Sequence, residues 1–194
     1  MAKLYFNYSS MNAGKSTVLL QAAYNYEERG MNSLLLIAAF DDRAGKGRIA
    51  SRIGLGADAD IFGSGDNLFA HVEAKRAVRE IHAIFIDEAQ FLSEEQVWQL
   101  ARVADKLRIP VMCFGLRTDF QGKLFPGSAA LLALADNLRE IKTICWCGRK
   151  ATMVARMDAA GNVVNEGAQV VIGGDETYVS LCRSHWSDRR LKAD

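Results

Sequence analysis

YFNYSSMNAGKST, residues 5–17, decides the fold. KLYFNY, residues 3–8, is a short aromatic strand, and a helix runs from Lys15 to about Arg29, stopped by Gly30. Between them, Ser9-Ser10-Met11-Asn12-Ala13-Gly14-Lys15-Ser16-Thr17 follows the phosphate-binding pattern G-x-x-x-x-G-K-[ST], with Ser9 in place of the first glycine. Strand, loop and helix in that order direct main-chain N–H groups and a helix N-terminus at an anion. Lys15 then neutralises β/γ oxygens, and Ser16 offers its hydroxyl to Mg²⁺. Ser9 weakens the pattern but not the mechanism, which relies on main-chain donors. The competing reading is a Ser/Gly turn that only caps a helix.

Working outward, LLLIAAF (34–40), IHAIFID (81–87) and IPVMCFGL (109–116) are apolar runs of strand length. Such runs suit strands covered on both faces. Helical stretches separate them near 68–80, from the Ser93/Gln96 capping box to about Leu107, and over 127–136. LREIKTI (138–144) reads as a last strand. The alternation predicts an α/β fold, a P-loop NTPase-like doubly wound parallel sheet. Residues 41–67, with six glycines, read as a long flexible loop. After Cys145 helical periodicity fades, which predicts a small β-rich unit. The expected division is 1–144 for the nucleotide-binding domain and 145–194 for the appended one.

Ala83-Ile84-Phe85-Ile86-Asp87-Glu88 is an apolar strand ending in an acidic pair. Asp87, at the carboxyl edge of the sheet, is placed to hold Mg²⁺ opposite Lys15, and Glu88 is free to act as a base. That base orients water in an NTPase or takes a hydroxyl proton in a kinase, and the pair alone leaves both open. Cys145-x-Cys147 and Cys182-x-x-His185 together make a Cys₃His set, which can close a structural zinc site, the competing reading being scattered core cysteines and a surface histidine. His71 and His82 lack comparable partners and read as ordinary helix-face or strand-edge residues. Phe91, Phe120 and Phe125 fall near the sheet edge, as a pocket for a flat ring or as core.

The chain has 194 residues, 49% hydrophobic and 24% charged, enough for one well-buried domain and too apolar for disorder. A net charge of +1 disfavours binding that needs a broad basic face, so no nucleic-acid partner is expected. No apolar stretch approaches the ~18 residues of a membrane span. MAKLYFNYSS lacks the features of a secretory signal, so the expectation is a cytoplasmic protein.

YFNYSSMNAGKST, FDDR, FIDEAQF, GLRTDFQGKLF, CWCGRKA, VVIGG and TYVSLCRSHW together resemble the type II thymidine kinase family, its bacterial members most closely, in family order from residue 5 to residue 186. The resemblance implies transfer of the ATP γ-phosphate to the 5′-hydroxyl of thymidine. It implies ATP, Mg²⁺ and a structural Zn²⁺, a homotetramer, and feedback inhibition by dTTP. Glu88 is then the catalytic base, and Ser9 through Thr17, Arg43, Asp87 and Gln90 lie on the ATP side. Met11, Phe91, Leu116, Phe120, Phe125, Val170, Val171, Ile172, Gly173, Gly174 and Tyr178 surround the nucleoside. Ser16 and Asp87 serve magnesium; Cys145, Cys147, Cys182 and His185 serve zinc. Many members carry a threonine near the 5-methyl group where this chain has Val154, with Met153 and Thr152 beside it. Three rivals share some of these features: a nucleic-acid-stimulated ATPase with a zinc ribbon, a non-catalytic nucleotide sensor, and a kinase of broader deoxynucleoside range.

Overall fold

The computed structural model describes residues 1–39, 45–169 and 178–192. Arg43 and the Val170–Gly174 stretch therefore lie outside the described residues.

Six parallel strands form the main sheet, in the order β5-β2-β6-β7-β1-β8. They are β1 (Leu4–Ser9), β2 (Ser33–Ala38), β5 (Asp60–Phe62), β6 (Ala83–Asp87), β7 (Val111–Leu116) and β8 (Asn137–Glu140). β2 and β6 are buried at every residue, as their unbroken apolar runs require. Alternate residues feed two cores. Leu34, Leu36, Ile84 and Ile86 pack on one face with Val97, Leu100 and Leu131. On the other, Leu35, Ile37 and Phe85 pack with Leu19, Leu20 and Ala23. The helices that cover the sheet are α1 (Lys15–Glu27), α2 (Leu68–Val78), α3 (Glu94–Arg102) and α4 (Pro126–Leu134). The α/β expectation holds.

The capping box opens α3: Ser93 Oγ accepts from Gln96 N at 3.1 Å, and Gln96 Oε1 accepts from Ser93 N at 3.0 Å. The Gln96 amide then donates to Gly63 O and Asp66 O, at 2.7 and 3.0 Å, fixing the loop before α2. Past α3, the chain makes one wide turn over Val103–Leu107.

Two expectations need correction. Over its described part, the 41–67 segment is ordered: β3 (Arg48–Ala50) and β4 (Gly56–Asp58) form a hairpin, and β5 joins the sheet beside β2. Ile49 of β3 is fully buried against the α1-side core and Phe62 of β5 is buried against the other, while β4 buries no side chain and is held by its pairing with β3. Gly54, at φ +88, supplies the hairpin turn. The strand expected over 138–144 is also two elements. β8 ends at Glu140, Ile141 N donates to Tyr8 O at 2.8 Å, and β9 (Thr143–Ile144) pairs instead with β10 (Lys150–Ala151).

β11 (Met153–Met157) is the centre of an antiparallel sheet between β12 (Val163–Val164) and β13 (Tyr178–Leu181). With the short helix α5 (Arg183–Ser187) it makes the β-rich lobe, whose own core is Cys145, Ala151, Ala155, Leu181 and Cys182.

Candidate active site and metal centre

β1, β6 and β7 are neighbours in the sheet, and their carboxyl ends carry Ser9, Asp87 and Leu116 to one edge. At Gly14 the backbone takes φ +80 immediately before α1, a conformation that glycine adopts without steric cost. Lys15 is buried, its Nζ donating to Ser9 Oγ at 3.2 Å and Ser10 O at 3.3 Å. The serine in the glycine position thus turns its hydroxyl to the loop lysine. Ser16 Oγ donates to Asp87 Oδ2 at 2.7 Å across 71 residues of sequence. The loop and the acidic strand end therefore meet as their motifs require. Burial and the adjacent Glu88 charge push Asp87 up to about 7, against the pull of the Ser16 hydroxyl, the Glu88 N–H and Lys15. A bound cation reverses that balance.

Glu88 follows at φ 52 and ψ 39, a left-handed conformation that costs a non-glycine residue about 1 kcal/mol or more. Two contacts brace it. Its N–H donates to Asp87 Oδ1 at 3.0 Å, and Gln90 Nε2 donates to Glu88 Oε2. Gln90 is 1% exposed, and its Oε1 accepts from Leu116 N at 3.0 Å, so one amide ties the acidic turn to the end of β7. Phe91 and Phe125 meet edge to face at 6.0 Å. Phe120 is buried beneath the Arg156 guanidinium, 4.1 Å above its ring.

The β-rich lobe reaches this edge through several bonds. Ser180 Oγ donates to Met11 O at 2.6 Å, and Arg117 donates to Thr152 O at 3.0 Å. Ser10 Oγ donates to Ala151 O at 3.4 Å. Tyr178 lies half-buried opposite Arg156 in the β11–β13 ladder, and the buried Val154 lies opposite Ser180.

The Cys145, Cys147, Cys182 and His185 ligand atoms all lie within 4.8 Å of one another. Zinc bonds of ~2.3 Å to sulfur and ~2.0–2.1 Å to nitrogen give tetrahedral edges of ~3.8 Å and ~3.5 Å. Cys147 Sγ to Cys182 Sγ is 4.0 Å and Cys145 Sγ to His185 Nδ1 is 3.4 Å, so the donor set fits zinc. Burial raises the Cys145 thiol, but the Cys147 and Cys182 N–H groups, with His185 and the Cys147 thiol, outweigh it and bring Cys145 down to about 6. Trp146 stacks on the His185 ring at 4.1 Å and 8°, with Arg190 over the same indole at 5.6 Å. Among the described residues this is the one cluster of metal-ligating type. His71 instead pairs with Asp60 at 2.9 Å, and His82 Nδ1 accepts from Asn32 N at 3.1 Å.

The family model described as "Thymidine kinase" matches residues 2–186. The chain belongs to the thymidine kinase family. It is 68% identical over 188 residues to the thymidine kinase of Ruegeria pomeroyi, covering 97% of this chain and 95% of that protein. It is likewise 68% identical over 191 residues to that of Rhizobium meliloti, covering 97% and 98%. With the thymidine kinase of Agrobacterium fabrum it shares 67% over 186 residues, covering 96% of each. Among the described residues of this thymidine kinase family member, no helix is long and apolar enough to cross a membrane.

Sequence reasoning missed Arg156, Asp119 and the Trp146 stack. Arg156 left one trace, a lone charge inside the apolar strand MVARM. Asp119 and Trp146 stand inside the motifs GLRTDFQGKLF and CWCGRKA, which carry no sign of their separate contacts.

Proposed function

We propose that this chain transfers the γ-phosphoryl group of ATP to the 5′-hydroxyl of thymidine, giving dTMP. The observation that carries this reading is the Ser16–Asp87 contact, which joins the phosphate loop to an acidic strand end with Glu88 one residue on. Family membership supplies the substrate.

Ser9 to Thr17 hold the ATP phosphates through main-chain N–H groups, and Lys15 neutralises β/γ oxygens. Arg43 adds positive charge, and Gln90 shapes the ATP side through Glu88. Ser16 and Asp87 are the residues that hold Mg²⁺, which when bound neutralises charge on the transferring phosphoryl group. Glu88 accepts the 5′-hydroxyl proton, which demands an approach of about 3 Å in the reacting complex. The thymine and sugar pack among Met11, Phe91, Leu116, Phe120, Phe125 and Tyr178, with main-chain groups of Val170, Val171, Ile172, Gly173 and Gly174 on the base edge. Main-chain recognition rejects purines by size and cytosine by mismatched donors and acceptors. Cys145, Cys147, Cys182 and His185 hold a structural zinc whose contribution is folding energy for the 145–194 unit. The separate core of that unit supports an appended domain, which the β9–β10 pairing extends back to Thr143. We further infer a cytoplasmic homotetramer inhibited by dTTP, on the motif resemblance.

The test is ADP release with ATP and Mg²⁺ across thymidine, deoxyuridine, deoxycytidine, deoxyadenosine, single-stranded DNA and no acceptor, with products identified by mass. Thymidine-dependent turnover yielding the 5′-monophosphate is expected. ADP released with DNA and no nucleoside phosphorylated would mean that Glu88 activates water, and would overturn the kinase reading.

A further inference from the structure

Arg156 is a buried cation, 8% exposed, in the middle strand of the β-rich lobe. Across β11 its partners are Val164 on one side and Tyr178 on the other. Its guanidinium makes three contacts, one to a ring and two to main-chain carbonyls. It lies 4.1 Å over the Phe120 ring, donates through one nitrogen to Ala168 O at 2.8 Å, and through the other to Glu166 O at 3.2 Å. No carboxylate pairs with it among the described residues, so its charge is met by carbonyl dipoles and an aromatic face.

The chain around these contacts is built to receive the guanidinium. Gly167, between the two accepting carbonyls, takes φ +127, and a Cβ there would lie 2.7 Å from an Arg156 nitrogen. The same limb is held a second time. Gln169 Nε2 donates to Asp119 Oδ2 at 2.9 Å, and Gln121 Nε2 donates to Asn165 O at 3.1 Å. Asp119 is buried, and its other oxygen accepts from the Gln121 and Lys123 N–H groups at 2.9 Å. Residues 165–169 are thus laid on the 119–123 turn, and Arg156 clamps both that limb and the Phe120 ring.

We propose that Arg156 is a positioning residue for the nucleoside. It sets the plane of Phe120 and holds Glu166 to Gln169 against the 119–123 turn that carries that ring. The proposal rests on the thymidine kinase reading. Lysine retains the charge but lacks the planar fork that reaches two carbonyls while stacking on a ring.

The experiment is steady-state kinetics of the full chain for both substrates, with unmodified protein, Arg156→Lys, Arg156→Met, Gly167→Ala and the Arg156→Met/Gly167→Ala double variant. Melting temperatures establish which variants fold. In Arg156→Lys and Gly167→Ala, KM for thymidine should rise about tenfold or more, with KM for ATP and kcat changed less than about threefold. Gly167→Ala should raise KM by a smaller factor in Arg156→Met than in the unmodified chain, because without the guanidinium only the backbone strain at φ +127 remains. Unchanged thymidine KM in the folded lysine and methionine variants overturns the proposal. So does a parallel loss for ATP and thymidine, or full additivity in the double variant. If the unmodified chain leaves thymidine unphosphorylated, the functional reading itself has failed, which separates the two outcomes.

Discussion

Replacing Gly127 by alanine tests how the turn after Glu88, the proposed base, is held. Gly127 is the second residue of α4 and is buried. A Cβ on it would lie 2.6 Å from Ala89 O, 2.7 Å from Leu92 O and 2.9 Å from Gln90 O, all main-chain atoms of the turn that follows Glu88. Ordinary contact begins at 3.4 Å, so helix and turn must separate by several tenths of an ångström. Overpacking costs about 1–3 kcal/mol, and three carbonyls that cannot rotate away place this case near the upper end. For a domain of this size, each kcal/mol lowers Tm by about 2–4 °C, so a fall of roughly 6–12 °C is expected. The displacement also reaches Glu88, and a shift approaching 1 Å at a reacting group is worth about 10²-fold, so kcat should fall by roughly 10- to 100-fold. Gly65→Ala is the control: nothing lies within 4 Å of its Cβ, and stability should stay within about 0.5 kcal/mol. The assay is a thermal melt paired with thymidine-dependent ADP release. A Gly127→Ala protein that melts within about 2 °C of the unmodified chain and turns over at full rate would refute the reasoning.

Glu88→Gln keeps the shape and loses the base, so kcat should fall about 10²- to 10⁴-fold while KM for ATP stays nearly constant; equal losses in both count against the assignment. Stripping zinc with a chelator, or Cys182→Ala, should release the β-rich lobe and abolish thymidine binding before ATP binding. Trp146 emission reports the event because the indole stacks on His185, and metal-free protein with full activity and unchanged emission would contradict it. Partial burial of Asp60 raises its pKa, but bonds from Lys75 at 2.6 Å and His71 at 2.9 Å outweigh that and lower it below 3.8. Its contribution is present above that value and is lost as pH falls through the depressed one. Asp60→Asn should therefore flatten the acid limb of urea-melt stability by less than about 1 kcal/mol, and an unchanged slope removes the pair from the account.

The main sheet was legible because a strand covered on both faces must be apolar at every position, and β2 and β6 are. The hairpin and β5 were not. Their strands have three residues each, β3 and β5 bury one side chain apiece and β4 none, so neither period nor apolar run distinguishes them from loop, and their six-glycine setting argues the wrong way. The order there comes from Ile49 and Phe62 entering cores built by distant elements. The break at Ile141 is of the same kind, since one bond to Tyr8 O decides where the chain leaves the sheet.

The two halves of the site differ in legibility for a chemical reason. A phosphate is an anion with oxygens on all sides, and consecutive main-chain N–H groups of one loop can hold it, so its signature is local and of fixed length. The proposed magnesium pair adds one side chain from the first turn of α1 and one from the end of β6, and here Ser16 finds Asp87. A nucleoside has two unlike faces and directional edges, so its pocket has to be assembled from segments far apart in the chain. In the proposed pocket, Phe91, Phe120 and Phe125 come from the main sheet's edge, while Arg156 and Tyr178 come from the lobe. The bonds that bring these together, such as Ser180 to Met11 across 169 residues, leave no local pattern. Gly167 shows the consequence most clearly. In sequence it is one more loop glycine, and only the structure gives its missing side chain two reasons, a φ of +127 and the Arg156 nitrogen that a Cβ would meet at 2.7 Å.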